Sequence, residues 1–295
     1  MAAVNPSVSS ALATRLVSGL VKALEKIKKR SLKLRFLICL LMAGVMLSPP
    51  LNAWEYNLAP QIHYLDYLEV DEQGNTLNTE TGWLKGADSS VSGLLGHWTI
   101  QSHLQFLQGT VDYQGQTQSG QPHHTRTKQI YFQYGISAGY TFRVANLELT
   151  PTIALDKHYW RRDIQAKGLV SQFTEDYQWW LVKPSLKASI TSAGLKGTSI
   201  QLGTTNTHQA SMRVHATKCT SAVTVYPKAD DGWFSRFEIP ASQHTSYKAV
   251  AFIEYQQWNM KRSDSKLANS CIGPLSWSEP SNKTQLWSAG ISLLF

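Results

Sequence analysis

The chain has 295 residues, of which 16% are charged, and it contains 10 Trp, 12 Tyr and 9 Phe. Its net charge of +8 is concentrated at the start, because residues 1–53 carry eight basic residues and one acid, whereas the remainder has 20 bases and 19 acids. A nearly neutral main part lacks the basic surface that phosphate backbones require, which excludes nucleic-acid binding.

The first 53 residues have the features of an export signal. Residues 26–35 read KIKKRSLKLR, residues 36–47 read FLICLLMAGVML, and a Pro-containing break leads to Ala53. A basic segment, a short apolar run and a small residue are typical of a secretory signal peptide. We therefore predict a removed signal peptide with an extended n-region at 1–53 and one domain at 54–295. A retained membrane helix at 36–47 is the alternative, although the run is short for a bilayer.

The next feature is a repeated alternation of apolar and polar side chains. It is clearest over Ile130–Phe142, where Ile, Phe, Tyr and Ala alternate with Gln, Ser, Gly and Thr. A period of two predicts a strand with one apolar face. Similar or weaker alternation marks Ile62–Val70, Val91–Leu95, Trp98–Gln108, Leu147–Arg162, Trp179–Ile190, Ser199–Thr205, Trp233–Ile239 and Tyr247–Gln257.

The spacing of these segments predicts short and long connections in turn. Short ones are expected at Gly96–His97, Arg143–Asn146, Thr191–Lys196 and Ala241–Ser246. Long polar ones are expected at Glu72–Gly86, Gln114–Lys128, Gln165–Thr174, Ala216–Asp231 and Ser265–Lys283. Outer-membrane barrels keep periplasmic turns short and external loops long. The pattern therefore predicts an all-β, antiparallel, up-and-down transmembrane barrel of about ten strands with both termini in the periplasm.

The final segment alternates up to a terminal Phe. Trp287, Ala289, Ile291, Leu293 and Phe295 share one face. This resembles the C-terminal β-signal of Gram-negative outer-membrane proteins, which implies recognition by the barrel assembly machinery, a bacterial outer-membrane location and contact with lipid and lipopolysaccharide. A secreted soluble β-sandwich, which also has period-two strands, is the competing interpretation.

Asp156 and His158 are the candidate catalytic residues, because they lie two apart on one strand and share a face. A carboxylate beside an imidazole can orient it and raise its basicity. Ten-stranded omptin proteases use an Asp-His pair with two further Asp residues, so the chain has a distant architectural similarity to them. No Asp-x-Asp sequence is present here, which argues against proteolysis.

A structural role is the favoured interpretation of this pair. Narrow barrels fill their interiors with side chains, and buried charges need partners. Asp156 and His158 would then belong to a lumenal ionic network, which Tyr64, Tyr67 and Glu69 of the first strand extend. The other predicted members are Arg162, Lys183, Lys187, Arg236, Glu238, Lys248 and Glu254.

Three further groups of residues have alternative interpretations. Cys219 and Cys271 lie in predicted external loops, where a disulfide is favoured over two free thiols. His123 and His124, beside Arg126 and Lys128, suit either a solvated loop or binding of a metal or lipopolysaccharide phosphate. A group of aromatic residues is predicted to form an interfacial girdle or to pack at strand ends, in preference to stacking on a ligand. They are Trp83, Tyr113, Tyr140, Tyr159, Trp160 and Trp258.

The sequence supports three functions in a definite order. A non-enzymatic barrel with a largely filled polar lumen and long external loops, serving envelope structure or surface interaction, comes first. A narrow pore comes second, and a hydrolase that uses Asp156 and His158, either omptin-like or lipid-modifying, comes third. No cofactor and no metal is expected.

Overall fold

The computed structural model describes residues 54–117, 120–168, 170–192, 194–215, 221–243, 247–270 and 273–295. The predicted signal peptide, Cys219 and Cys271 lie outside these residues. Within the described part, no helix is long and apolar enough to cross a membrane.

Fifteen strands make up the described part. They are β1 (Trp54–Val70), β2 (Thr76–Leu95), β3 (Trp98–Gln116), β4 (Pro122–Tyr140), β5 (Phe142–Val144), β6 (Leu147–Ile164), β7 (Phe173–Ile190), β8 (Ser199–His215), β9 (Val223–Val225), β10 (Lys228–Ala229), β11 (Asp231–Gln243), β12 (Lys248–Lys261), β13 (Lys266–Ser270), β14 (Gly273–Trp277) and β15 (Ser281–Leu294).

Ten of these strands form a closed antiparallel barrel. Their order around the wall is β1, β2, β3, β4, β6, β7, β8, β11, β12 and β15, and β15 pairs with both β12 and β1. The backbone of Phe295 exchanges hydrogen bonds with Tyr56 at 2.9 and 3.3 Å, so the two ends of the barrel chain lie together. Every wall strand therefore has two neighbours, which confirms the predicted fold class.

The outer surface carries an apolar belt, which we define by the outward side chains of β3 and β4. On β3 they are apolar at Trp98, Ile100, Leu104 and Phe106, with Ser102 among them, and polar from Gln108 onward. On β4 they are polar from His124 to Lys128 and apolar from Ile130 to Tyr140. Eleven residues on β4 match the length of a tilted strand that crosses a bilayer. Large apolar side chains exposed all around a closed barrel indicate a barrel embedded in the outer membrane.

Aromatic side chains mark the edge of the belt that is distant from the short turns. Neighbouring rings lie 4.5–5.2 Å apart in three of the pairs along this edge. The row crosses five adjacent strands and consists of Trp83, Tyr64, Trp287, Tyr255 and Trp233. Such rows occur at the interface between lipid and water.

The predicted short connections agree with the described part of the chain, but two predicted long loops do not. Most of Glu72–Gly86 belongs to β2, and most of Gln114–Lys128 belongs to β3 and β4. Beyond the belt most outward side chains of these strands are polar, so the apolar outward face that identifies a membrane strand disappears while the backbone remains paired. The strands of 17–20 residues at this side of the barrel extend past the membrane.

Replacement of Ile136 by Lys tests the belt. Ile136 lies in the middle of the apolar segment of β4 and is 60% exposed, so the charge would face hydrocarbon and cost about 2–4 kcal/mol of folding free energy. Urea titration in lipid vesicles measures the loss. Gln114→Lys, on the outward face of β3 beyond the belt, is the matched control and should change stability by less than about 0.5 kcal/mol. Equal losses for both variants would contradict the position of the belt.

Candidate functional site: the filled lumen

The inward side chains form three layers along the barrel axis. Starting from the end with the short turns, we call them the ion-pair layer, the aromatic layer and the acid chamber. The ion-pair layer lies at the level of the belt, and the acid chamber lies beyond the belt. Strand β6 contributes to all three, because Asp156, His158, Trp160 and Arg162 alternate inward along it. This alternation follows from the two-residue period of a strand.

The ion-pair layer contains two groups of contacts. In the first, Lys187 Nζ lies 2.6 Å from Glu238, and Arg236 contacts Glu238 at 2.7 Å and Glu254 at 2.9 Å. Ser199 also donates a hydrogen bond to Glu238 at 2.8 Å. Each acid of this group has a cationic partner, which offsets the cost of removing it from water.

Asp156 is the centre of the second group. Its fully buried carboxylate lies 2.6 Å from Lys183 Nζ and 3.2 Å from His103 Nε2, and Gln133 donates to it at 2.9 Å. Besides Asp156, five of the predicted network residues thus make ionic contacts in these two groups. Lys248 is instead exposed at the end of the barrel that carries the short turns.

His158 does not share a hydrogen bond with Asp156. Its Nδ1 contacts the Tyr131 hydroxyl, and its ring stacks on Trp179 with centroids 4.9 Å apart. Both Asp156 and His158 have 0% exposed surface. The two candidate catalytic residues therefore share the lumen but do not form an oriented acid–base pair.

The aromatic layer, to which His158 belongs, fills the lumen between the ion-pair layer and the acid chamber. Its ring centroids lie 4.9–6.5 Å apart, within the range of favourable aromatic contacts. Its members are at most 3% exposed and are Tyr131, His158, Trp160, Trp179 and Trp258. Of the two predicted roles for these aromatics, the interfacial girdle is thus wrong for Trp160 and Trp258, and also for Tyr113, which is 5% exposed and faces inward. The side chains of Tyr113, Trp160 and Trp258 therefore fill the interior of the barrel and do not contact lipid head groups.

The acid chamber surrounds the guanidinium of Arg162, which is 1% exposed. Its Nη1 lies 3.1 Å from Glu69 and 2.7 Å from Glu175, and its Nη2 lies 2.9 Å from Glu80. The hydroxyls of Tyr67 and Tyr177 accept hydrogen bonds from the same guanidinium at 2.9 and 3.0 Å. Thr127 and Gln129 of β4 donate to Glu80.

A fourth acid reaches the chamber from the segment that precedes β15. Glu279 is 1% exposed and accepts hydrogen bonds from Tyr177 at 2.7 Å and from Asn282 at 2.8 Å.

Sequence reasoning missed Glu80, Glu175 and Glu279. Glu80 lies in a predicted loop, although its alternation with Asn78 and Leu84 would have placed it on the inward face of a strand.

The adjacent histidines of β4 point to opposite sides of the wall. His123 is buried and lies beside Tyr113, with ring centroids 5.9 Å apart, whereas His124 is exposed on the outer face. Adjacent residues of a strand cannot both ligate one ion on the same face. Within the described ranges, no group of three or more His, Cys, Asp or Glu residues is arranged to hold a metal ion.

Comparisons with known proteins find only distant structural likenesses. No family model and no curated protein sequence matches the chain. The outer membrane protease OmpT from Escherichia coli has a TM-score of 0.45 and 10% identity, covering 84% of this chain and 99% of that one. The Pseudomonas putida toluene transporter TodX has a TM-score of 0.38 and 9% identity, covering 85% and 91%. The translocator domain of the autotransporter NalP from Neisseria meningitidis has a TM-score of 0.40 and 10% identity, covering 95% and 99%.

Replacement of Arg162 by Leu tests the acid chamber. The variant leaves several carboxyls buried without their cationic partner, so we expect a loss of about 3–5 kcal/mol in unfolding free energy. Arg161→Leu is the matched control, because Arg161 is the next residue and forms an exposed pair with Asp176 at 2.7 Å. It should cost about 1 kcal/mol or less. Urea titration of both variants in detergent micelles gives the comparison, and similar losses would contradict the role of Arg162.

Proposed function

We propose that this protein is a non-conducting barrel of the outer membrane that serves envelope structure or surface interaction. The observation that carries the proposal is the aromatic layer, whose fully buried Trp179 and Trp258 meet at a centroid distance of 5.8 Å across the lumen. The acid chamber adds a second obstruction on the side distant from the short turns. A permeant solute would have to displace both sets of side chains.

The burial of Asp156 and His158 argues against the hydrolase alternative. A general base must reach the proton that it abstracts, directly or through one water molecule. Lys183, His103 and Gln133 surround the carboxylate, and Tyr131 and Trp179 surround the imidazole. These contacts favour a role in neutralising and packing the lumen.

The proposal also includes partners at the outer surface of the barrel, namely lipopolysaccharide and the barrel assembly machinery. Exposed His124, Arg126 and Lys128 follow one another on the outer face of β4, directly beyond the belt. Basic side chains at this level are suited to the phosphates of lipopolysaccharide. The outward row that runs from Trp287 in β15 to the terminal Phe295 would serve as the assembly signal, after export by a removable segment at 1–53.

Conductance in planar bilayers tests the proposal. The unmodified protein should give no resolved channel openings, because the aromatic layer obstructs the lumen. A Trp179→Ala, Trp258→Ala double variant should conduct, since it removes two of the largest side chains of the layer. Heat-modifiable electrophoretic mobility would verify that each protein is folded. Stable openings of the unmodified barrel would instead favour the pore alternative.

A disulfide between Cys219 and Cys271 remains part of the proposal. Both residues lie outside the described ranges, but the backbone N of Ser221 donates to the carbonyl of Asn269 at 3.0 Å. This contact joins the two segments two residues away from each cysteine. A bridge across a chain segment of this length would stabilise the folded state by about 4 kcal/mol.

Electrophoresis and mass analysis test this bridge in the processed protein, which lacks residues 1–53 and therefore Cys39. We expect the oxidised chain to react with no thiol reagent and to gain two labels after reduction, whereas Cys219→Ser should expose one thiol without reduction. Cys271→Ser should behave in the same way. Two labels on the unreduced, unmodified protein would show free thiols and contradict the bridge.

A further inference from the structure

The last loop of the barrel, described at residues 262–270 and 273–280, carries the hairpin β13–β14 and inserts one carboxyl into the acid chamber. Ala268 belongs to the hydrophobic core, and Trp277 packs against this core. At the base of the loop, Ser263 N donates to the Glu279 carbonyl at 3.0 Å, and Glu279 N donates to Ser263 Oγ at 2.8 Å. These contacts place the Glu279 side chain inside the barrel.

The acid chamber has more acids than bases among the described residues. Its charged and titratable side chains come from β1 (Tyr67 and Glu69), β2 (Glu80), β3 (Tyr113), β6 (Arg162), β7 (Glu175 and Tyr177) and the last loop (Glu279). One guanidinium cannot neutralise four ionised carboxylates in a buried site. At least one carboxyl is therefore expected to keep its proton.

Glu279 is the acid that lacks a cationic contact within the described part of the chamber. The amino groups of Arg162 contact Glu69, Glu80 and Glu175. The hydrogen-bond donors to Glu279 are instead the neutral side chains of Tyr177 and Asn282 and, at 3.4 Å, the hydroxyl of Tyr67. Burial raises the pKa of Glu279 well above its usual range, and the charges of Glu69 and Glu175 raise it further. The neutral carboxyl is consequently the form that suits this position.

We propose that Glu279 is a pH-sensitive latch, which holds the last loop in the acid chamber while it is protonated and releases the loop when it ionises. On ionisation the proton passes to solvent, and a new carboxylate is left beside Glu69 and Glu175 without a cation of its own. Because the folded form binds the proton more tightly than the open form, docking is strongest in acid and weakens as the pH rises through the folded pKa. This regulation goes beyond the proposed envelope role and does not depend on conductance.

Hydrogen exchange with mass analysis of peptides from 262–280 tests the latch in the full-length folded protein. Protection, corrected for the intrinsic pH dependence of exchange, is measured between about pH 6 and pH 9 for the unmodified chain and three variants. In the unmodified protein, we expect protection of the loop to fall by about tenfold or more over this range, because ionisation of a single carboxyl changes the docking equilibrium by up to about tenfold for each tenfold fall in proton concentration. Peptides from β3 and β4 should retain their protection.

The variants separate charge from packing. Glu279→Gln keeps the shape without the ionisable group and should give a loop that is protected at every pH. Glu279→Ala removes the hydrogen-bond acceptor and should give a loop that is poorly protected at every pH. Glu72→Gln is the matched control, because Glu72 pairs with Arg262 at 2.9 Å at the exposed base of the same loop. It should leave the pH dependence unchanged.

Two results would overturn the latch. One is a loop whose corrected protection does not change with pH in the unmodified protein. The other is a Glu279→Gln variant that loses protection with pH as the unmodified protein does. If Glu279→Ala fails to show heat-modifiable mobility, the comparison of Glu279→Gln with the unmodified chain still decides the question. A conducting barrel with a pH-sensitive loop would contradict the proposed function and leave the latch intact.

Discussion

The structure depends on one constraint: a bilayer offers no hydrogen-bond partners, so every backbone N–H and C=O at membrane depth must be paired within the protein. Ten strands satisfy this requirement because β15 pairs with both β12 and β1, which leaves no open edge in the described wall. The same closure fixes the interior. A barrel of this size has an interior that side chains can fill, so the inward residues must pack against one another and satisfy one another's charges.

The charges of the lumen follow the position of the membrane. At the level of the belt, Glu238, Glu254 and Asp156 each contact Arg or Lys. Beyond the belt, by contrast, Arg162 shares the acid chamber with four acids. An unbalanced group of this kind is more easily tolerated where water surrounds the barrel wall than where hydrocarbon does, because the reaction field of nearby solvent stabilises charge. The extension of the strands past the membrane thus provides a place for side chains that the belt region could not hold.

The sequence predicts the fold well because lipid imposes a regular pattern on alternate residues. Ile130–Tyr140 is apolar outward and polar or small inward, and this alternation is readable without any knowledge of tertiary contacts. Where the outer face meets water, the pattern fails. The sequence therefore places Glu80 in a loop, and it does not reveal Glu175 or Glu279. The role of Glu175 depends on its cross-strand contact with Arg162 of the neighbouring β6, and that of Glu279 depends on a contact with Tyr177, which is 102 residues away in the sequence. Trp160 is a different kind of error: its position between His158 and Arg162 already places it on the inward face, but its residue type favours the interface.

Arg161 and Arg162 are adjacent in the sequence, but their side chains lie on opposite sides of the barrel wall and in different environments. Arg161 points outward to an exposed pair with Asp176, and Arg162 points inward to the acid chamber. The identical side chains differ only in the parity of their positions, yet one is surrounded by water and the other by carboxyls and tyrosine rings, with the Tyr67 ring centroid 4.1 Å from its guanidinium. A single-residue shift of register would exchange these environments and would also turn Asp156 and His158 toward lipid. The inward charges therefore help to fix the register of the barrel, because only one alignment of β6 with β4 and β7 gives each of them its partners.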